Sequence, residues 1–371
     1  MSVTVQHLTL RPFRRILVIS DIHGGLTALE RLLQQVGFSD ADALILLGDY
    51  VEKGADNLGT LRRVRQLCRL PNVWAVQGNN DMADVKRLQP KHLDRMLNNM
   101  RERRENWQCR SLFWDVARQN GWETLFETDP AALQKKLRKF LKEDVAFLKG
   151  LPQVLVAEDV CFAHAGLDVD PYRSAPQSRK TCLRAGAFCR SNRLRFSHPL
   201  VVGHWPTVIM RDETLCCAPR FFAEQNLFCI DGGNAMDPNG ALICLIRDNA
   251  SGCWSWQAAD ALPHARALDA QDPVPASLIW NWGNNQAEIV RDDGEFVLCR
   301  HTASGRTGEV PARRLYRDTE GKVYVDQMTD ELLAVRSGEE LSVILPTSRG
   351  TLVRRAGQIG WYTGRLELSE E

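Results

Sequence analysis

A chain of 371 residues is too long for one compact core of ordinary size, so two or three domains are expected, with ample material for a large core. Lysine and arginine (47) nearly balance aspartate and glutamate (46), so overall charge gives no argument for a nucleic-acid or anionic-membrane partner, and any basic site must be local. Eleven cysteines without a Cys-x-x-Cys pair, no signal-peptide pattern, and no apolar run near the roughly 18 residues of a membrane span predict reduced thiols and a soluble, cytoplasmic protein.

Residues 1–14 alternate weakly and predict a short edge strand leading into ILVISDIHGG, residues 16–25. That Ile/Val-rich run reads as a buried strand ending in Asp21, His23 and two glycines. Residues two apart on an extended backbone point to one side, so the carboxylate and the imidazole can reach one cation together. Taken alone, Asp-x-His fits a helix N-cap beside a surface histidine equally well. LTALERLLQQVGF has helical spacing, and ADALILLGDYVEKG repeats the pattern of an apolar strand ending at a carboxylate, Asp49. DNLGTLRRVRQLCR predicts a second helix, and NVWAVQGNND a third strand ending in Gly78, Asn79, Asn80 and Asp81. Strands alternating with helices imply a mainly parallel sheet in this half.

Residues 82–150 are helix-rich and charged, and predict a helical insertion lying over the strand ends. Arg101, Arg103, Arg104 and Arg110 can attract an anionic substrate, although a charge run is more commonly a solvated helix face. After Pro152, QVLVAEDVCFAHAGLD predicts a hairpin leading to His164, and HPLVVGHWPT places His204 at the end of an apolar strand. LFCIDGG and ALICLIRD are expected as a final core pair around a turn at DPNG.

Asp21, His23, Asp49, Asn79, His164 and His204 each follow a predicted strand, most beside a glycine, where open α/β sheets place ligands. Any one of these histidines has an ordinary core reading. The set points instead to oxygen and imidazole ligands, without thiolate, for two divalent ions, manganese first, with iron or zinc as alternatives. Asp49 can bridge them.

DIHGG, GDYVEKG, GNND, AHAG and GHWP also stand in the order and spacing of the calcineurin-like metallophosphoesterases. Over residues 14–250 the chain resembles most the phosphoprotein phosphatases and their bacterial relatives, which include symmetrical dinucleoside tetraphosphatases. The resemblance implies an α/β fold, a two-sheet β-sandwich flanked by helices, with a dinuclear centre at one edge. One metal would be held by Asp21, His23 and bridging Asp49, the other by Asp49, Asn79, His164 and His204. A metal-bridging hydroxide would attack a phosphate ester in line. Trp205 and Pro206 follow His204 where many phosphodiesterase relatives carry a second histidine, which favours the phosphatase branch. Lys53 stands where the family has a phosphate-binding arginine, and Arg184 is a candidate for a second one or an ordinary surface arginine. The family usually reads GNHD or GNHE, in which the histidine protonates the leaving group and the acid supports it. Here Asn80 replaces the histidine beside Asp81, and an amide cannot deliver a proton near neutral pH.

Residues 1–262 are therefore expected to form the catalytic domain, 263–275 a linker and 276–371 an all-β module, with two similar stretches suggesting tandem small Src-homology-type barrels. A chain ending near residue 262 is expected to fold by itself. Tyr316, Trp361 and Tyr362 can hold a peptide or protein partner, or simply complete small cores. The functional reading is a metal-dependent phosphohydrolase acting on a phosphorylated protein or small phosphate ester, with dinucleoside polyphosphates as the alternative substrate. A catalytically weak phosphate-recognition or scaffold protein is the reading of a different class, and Asn80 is the feature that favours it.

Overall fold

Val5–His7 (β1) and Arg15–Ile19 (β2) open two different sheets in the computed structural model, which describes residues 2–173, 176–210 and 213–369. β2 is the middle strand of a five-stranded sheet. It pairs in parallel with Asp42–Leu46 (β3), which pairs with Val73–Ala75 (β4), and antiparallel with Leu242–Asp248 (β10), beside Trp254–Ala259 (β11). The connections are the helices Leu26–Gln35 (α1) and Asn57–Leu67 (α2), as right-handed parallel crossovers require. Ile16 through Ile19 are all fully buried, which explains why this strand reads as a continuous apolar run and does not alternate.

The second sheet runs β1, Val154–Val156 (β5), Cys161–Ala163 (β6), Leu200–Val202 (β7), Leu227–Cys229 (β9) and Arg220–Phe222 (β8). With the first sheet it forms the two-sheet sandwich flanked by helices, and β5 and β6 are the expected hairpin. The expected core pair of LFCIDGG and ALICLIRD is not a pair: β9 lies between β7 and β8, while β10 lies between β2 and β11. The segment between them crosses from one sheet to the other. Each strand is apolar on its own account, so composition could not reveal the crossing.

From Asn79 to Gly150 the chain is almost entirely helical: Asn79–Arg87 (α3), Leu93–Asn106 (α4), Leu112–Asn120 (α5), Leu125–Thr128 (α6), Pro130–Phe140 (α7) and Lys142–Gly150 (α8). These helices do more than lie over the strand ends. Met96, Met100, Phe113, Trp114, Leu133 and Leu137 join Leu29, Leu32, Leu44 and Leu46 in one buried cluster, so the insertion completes the core on that face. No helix among the described residues is long and apolar enough to cross a membrane.

Contacts divide the chain into Met1–Pro206 with Pro219–Asp260, and Thr207–Ala218 with Ala261–Glu371. The second unit is all-β, with two five-stranded antiparallel sheets. The stretch 263–275 is not a bare linker, because His264–Ala267 (β12) pairs with Glu340–Thr347 and Leu366–Leu368. Its alternating Ala265 and Ala267 are too small to stand out as a strand face, yet both are fully buried. Tyr362 is core as well, with its hydroxyl donating to the Asp269 carbonyl at 2.8 Å. Trp361 donates to the Thr329 carbonyl, and Tyr316 is half-exposed and stacked on Tyr324.

Residues 207–218 belong to the β unit although they precede β8 in the chain. Leu215 and Cys217 are fully buried, the Cys217 amide donates to the Gly357 carbonyl, and the Ile359 amide donates to the Leu215 carbonyl, each at 2.9 Å. Truncation after Asp260 removes those partners. We expect the shortened protein to unfold at a lower temperature than the full chain, with about 1.5–3 kcal/mol lost from Leu215 alone, measured by denaturant or thermal unfolding. A truncated protein of unchanged stability would contradict this assignment of residues 207–218.

Candidate metal centre

Neither β2 nor β3 leaves its sheet in an extended conformation. Asp21 (φ 55°), His23 (48°), Asp49 (54°) and His204 (70°) all have left-handed backbone, which side-chain-bearing residues rarely adopt and which costs about 1–3 kcal/mol at each such position. Asp21 and His23 therefore converge through left-handed residues and not through the pleat of an extended strand. The turns are held by backbone bonds across the two loops: Asp21 N to Gly48 O, His23 N to Asp49 O and Gly24 N to Tyr50 O, at 2.9–3.1 Å. As a result His23 Nε2 lies 3.7 Å from Asp21 Oδ1 and 3.7 Å from Asp49 Oδ2, while His164 Nε2 lies 3.5 Å from Asp49 Oδ1.

Two overlapping ligand groups result, Asp21 with His23 and Asp49, and Asp49 with His164 and His204, the atoms of each within 4.8 Å of one another. The tautomers follow from the second ring nitrogens. His164 Nδ1 lies 2.7 Å from the Leu47 carbonyl and His23 Nδ1 3.2 Å from the Val51 carbonyl. A carbonyl only accepts, so each Nδ1 carries the proton and each Nε2 presents a lone pair to carboxylate oxygens. Lone pair against anionic oxygen is repulsive unless a cation lies between them. Asp21 Oδ1 and His23 Nε2 are also buried without a hydrogen-bond partner. The donor set thus fits divalent cations bound by oxygen and imidazole.

Asn79 sharpens this point. Its side-chain amide lies 2.7 Å from His204 Nδ1 and 3.0 Å from His164 Nε2. With the oxygen turned to the rings it completes a donor set with Asp49, as a cation requires. With the nitrogen turned there it donates to both rings, and its oxygen accepts from Asn80 at 3.1 Å, which satisfies the protein groups among themselves.

Burial, with the adjacent Asp49, pushes Asp21 well above the usual carboxylate range. Burial would raise Asp49 too, but His164, His23 and Lys53 outweigh it and hold Asp49 below that range. Burial, aided by Lys53, lowers His23 to about 3, and burial, aided by His164, lowers His204 to about 4, so both rings are neutral and able to ligate at pH 7.

The remaining expected residues take distinct places. Asp81 is fully buried and accepts from the backbone N–H groups of Asp49, Tyr50 and Gly78 at 2.9–3.1 Å. Both its oxygens accept from backbone N–H groups. It positions the loops. Asn80 donates to Asp49 through its backbone N–H, at 2.8 Å, and through its side chain. Lys53 is largely buried, and its charge acts on Asp21, His23, Asp49 and His204. Arg184, at the end of the helix Arg179–Arg184 (α9), is exposed in the cleft that Asn79 also lines, and its charge bears on His204.

The arginine cluster divides: the Lys53 amide donates to the Arg110 carbonyl at 3.1 Å and the charge of Arg103 reaches Lys53, while the others are engaged elsewhere. Arg103 is buried, bonded to Glu52 at 2.8 Å and set over the Trp107 ring, while Arg104 pairs with Glu127 and Arg101 bonds Asn98. For Arg103 this replaces both the substrate-attracting and the solvated-face readings. Sequence reasoning also missed Asp231, a buried carboxylate pushed upward by burial and by Asp21, with one oxygen accepting from Gly233 N and the other unpartnered. The available signal was the IDGG run, where a carboxylate again follows a strand.

Residues 14–208 match the family model described as calcineurin-like phosphoesterase. Over 81 residues the chain is 41% identical to a symmetrical bis(5'-nucleosyl)-tetraphosphatase of Pectobacterium atrosepticum, covering 20% of this chain and 28% of that one. Over 70 residues it is 41% identical to serine/threonine-protein phosphatase 2 of Salmonella typhimurium, covering 19% and 30%. The chain thus spans less than a third of the length of these curated relatives. Among solved structures, a metallophosphoesterase from Sphaerobacter thermophilus superposes with a TM-score of 0.37 at 20% identity, covering 66% of this chain and 88% of that one.

Gly78 tests the site without removing a ligand. A Cβ there would lie 2.0 Å from Asp49 N and 2.3 Å from its Oδ1, so a methyl group must displace that carboxylate. Gly78→Ala should weaken manganese binding at least about tenfold, equivalent to about 1.4 kcal/mol, with the far-ultraviolet circular dichroism retained. Isothermal titration showing unchanged affinity would mean that Asp49 is not a ligand.

Proposed function

The chain belongs to the calcineurin-like phosphoesterase family, and we propose that within it the protein is a metal-dependent phosphohydrolase acting on phosphomonoesters in the manner of the serine/threonine phosphatases. The observation that carries this reading is the pair of ligand groups sharing Asp49. We take Asp21, His23 and Asp49 to hold one ion and Asp49, Asn79, His164 and His204 the other, manganese first, with iron or zinc compatible with the same donors. Two such ions supply Lewis-acid charge for phosphoryl oxygens and acidify water.

The protein's own groups then divide the remaining work. Lys53 offers a point charge to a phosphate oxygen, without the forked geometry of an arginine. Arg184 meets the substrate from the cleft. Asn80 holds Asp49 in place and can donate a hydrogen bond toward the substrate, but it cannot protonate a departing oxygen. Asp81 acts through the backbone it anchors. Dinucleoside polyphosphates remain the second substrate reading, favoured by the similarity to a tetraphosphatase and by the missing proton donor, because a phosphoanhydride leaves more readily than an alkoxide.

Without a general acid, the barrier depends on how well the leaving oxygen bears charge. With saturating manganese, aryl phosphates should be hydrolysed much faster than phosphoserine, the missing acid costing about 100-fold to 10,000-fold on the poorer leaving group. Asn80→His should raise the phosphoserine rate more than the aryl rate. Rates indifferent to leaving-group pKa would show that another residue supplies the proton, and no hydrolysis of any ester by the metal-loaded protein would favour a recognition role.

A further inference from the structure

Beside Asn79 the protein carries a cleft of about 1250 Å³ between the loop that ends β4, helices α3 and α4, and α9. This exceeds the roughly 300–1,000 Å³ of an ordinary small-molecule site. Eight lysine and arginine side chains line it against a single acid, Glu102, in a chain whose formal net charge is only +1. Lys86, Arg95, Lys180 and Arg184 are exposed there and make no ion pair among the described residues. Arg87 is different: Asp84 holds its guanidinium at 2.7 Å.

Asn99 lines the cleft and is only 3% exposed, yet neither its amide oxygen nor its amide nitrogen has a hydrogen-bond partner. Both amide atoms are closed off from solvent, so this unpaired amide lies within the wall behind the cleft and not on the face a ligand meets. No phenylalanine, tyrosine or tryptophan is among the described lining residues, so a nucleobase would find only the His92 ring and guanidinium planes to stack on, whereas phosphate oxygens meet eight cations. The apolar side chains present, such as Met82 and Leu183, lie among cations.

We infer that this cleft binds the body of a linear polyanion, in chemical class an inorganic polyphosphate chain, with one phosphate at the ligand cluster and the following ones on the cations of α3, α4 and α9. Its role as a substrate site rests on the phosphohydrolase reading, whereas binding itself does not. Affinity then rises with chain length and falls with salt, because each added phosphate meets another cation.

The test is titration of the full chain in manganese buffer with orthophosphate, tripolyphosphate and long-chain polyphosphate, with bis(5'-adenosyl) tetraphosphate and a phosphopeptide as competitors. Affinity should increase along the phosphate series. Arg95→Glu and Lys180→Glu should each weaken long-chain binding about three- to tenfold and flatten its salt dependence. Chelation of manganese affects wild type and variants alike, so the ratio between them is the readout. Arg95 and Lys180 are both exposed, so the charge reversals test binding without disturbing the core. Affinity independent of chain length, variants that bind as the wild type does, or a nucleotide or phosphopeptide outcompeting polyphosphate would overturn the inference. Aryl phosphate hydrolysis without length-dependent binding would remove the cleft and leave the phosphohydrolase reading standing. Length-dependent binding sensitive to Arg95 and Lys180, without aryl hydrolysis, would support the cleft and remove that reading.

Discussion

One carboxylate shared by two imidazole lone pairs is the constraint from which the unit Met1–Pro206 with Pro219–Asp260 is arranged. Asp49 is almost fully buried between His23 and His164, and both rings are turned by backbone carbonyls so that their lone pairs meet its oxygens. Asp21 and Asp231 are equally buried nearby. Lys53 is the cation whose charge reaches all three carboxylates, and burial lowers its own affinity for the proton. An arrangement of this kind is poor for stability on its own terms, since buried carboxylates without matching cations carry a large desolvation cost. It is coherent as a receptacle for divalent charge.

Holding that receptacle requires support on every side. Asp81 binds three backbone N–H groups around Asp49, and Asn80 adds two donors to the carboxylate itself. Gly78 and Gly203 leave the room the carboxylates need, since a Cβ on Gly203 would lie 2.2 Å from Asp21 Oδ2. The helical insertion is tied to the same loop from beneath. Glu52, next to Lys53, pairs with buried Arg103 of α4 and accepts from the Leu112 amide that opens α5. Removing one partner of such a buried pair typically costs about 3–5 kcal/mol, so the insertion and the ligand loop are mechanically one piece.

The strand ends were legible because a carboxylate or histidine stopping an apolar run is an uncommon juxtaposition, and Asp21, Asp49, His164 and His204 all carried it. How they converge was not legible. A left-handed residue at Asp21, His23, Asp49 and His204 is written in the tertiary hydrogen bonds that enforce it and not in local propensity. The same holds for Arg103, whose place in a basic run suggested solvent and whose partner Glu52 lies 51 residues away. Sheet membership of β9 and β10 was hidden because an apolar strand fits either layer, and β12 was hidden because alanines bury without announcing a face. Asp81 stood out by family pattern, but its bonds to three backbone N–H groups have no sequence signature. The unsatisfied amide of Asn99 has no sequence signature whatever.

The central claim is that the buried ligand groups exist to hold two ions that share Asp49, and anomalous X-ray scattering from crystals grown with manganese tests it directly. The account predicts two manganese peaks, one among Asp21, His23 and Asp49 and one among Asp49, Asn79, His164 and His204, with the Asn79 oxygen turned to the rings. A single peak, peaks away from Asp49, or an unliganded Asn79 with its nitrogen on His164 and His204 in the metal-bound crystal would contradict it.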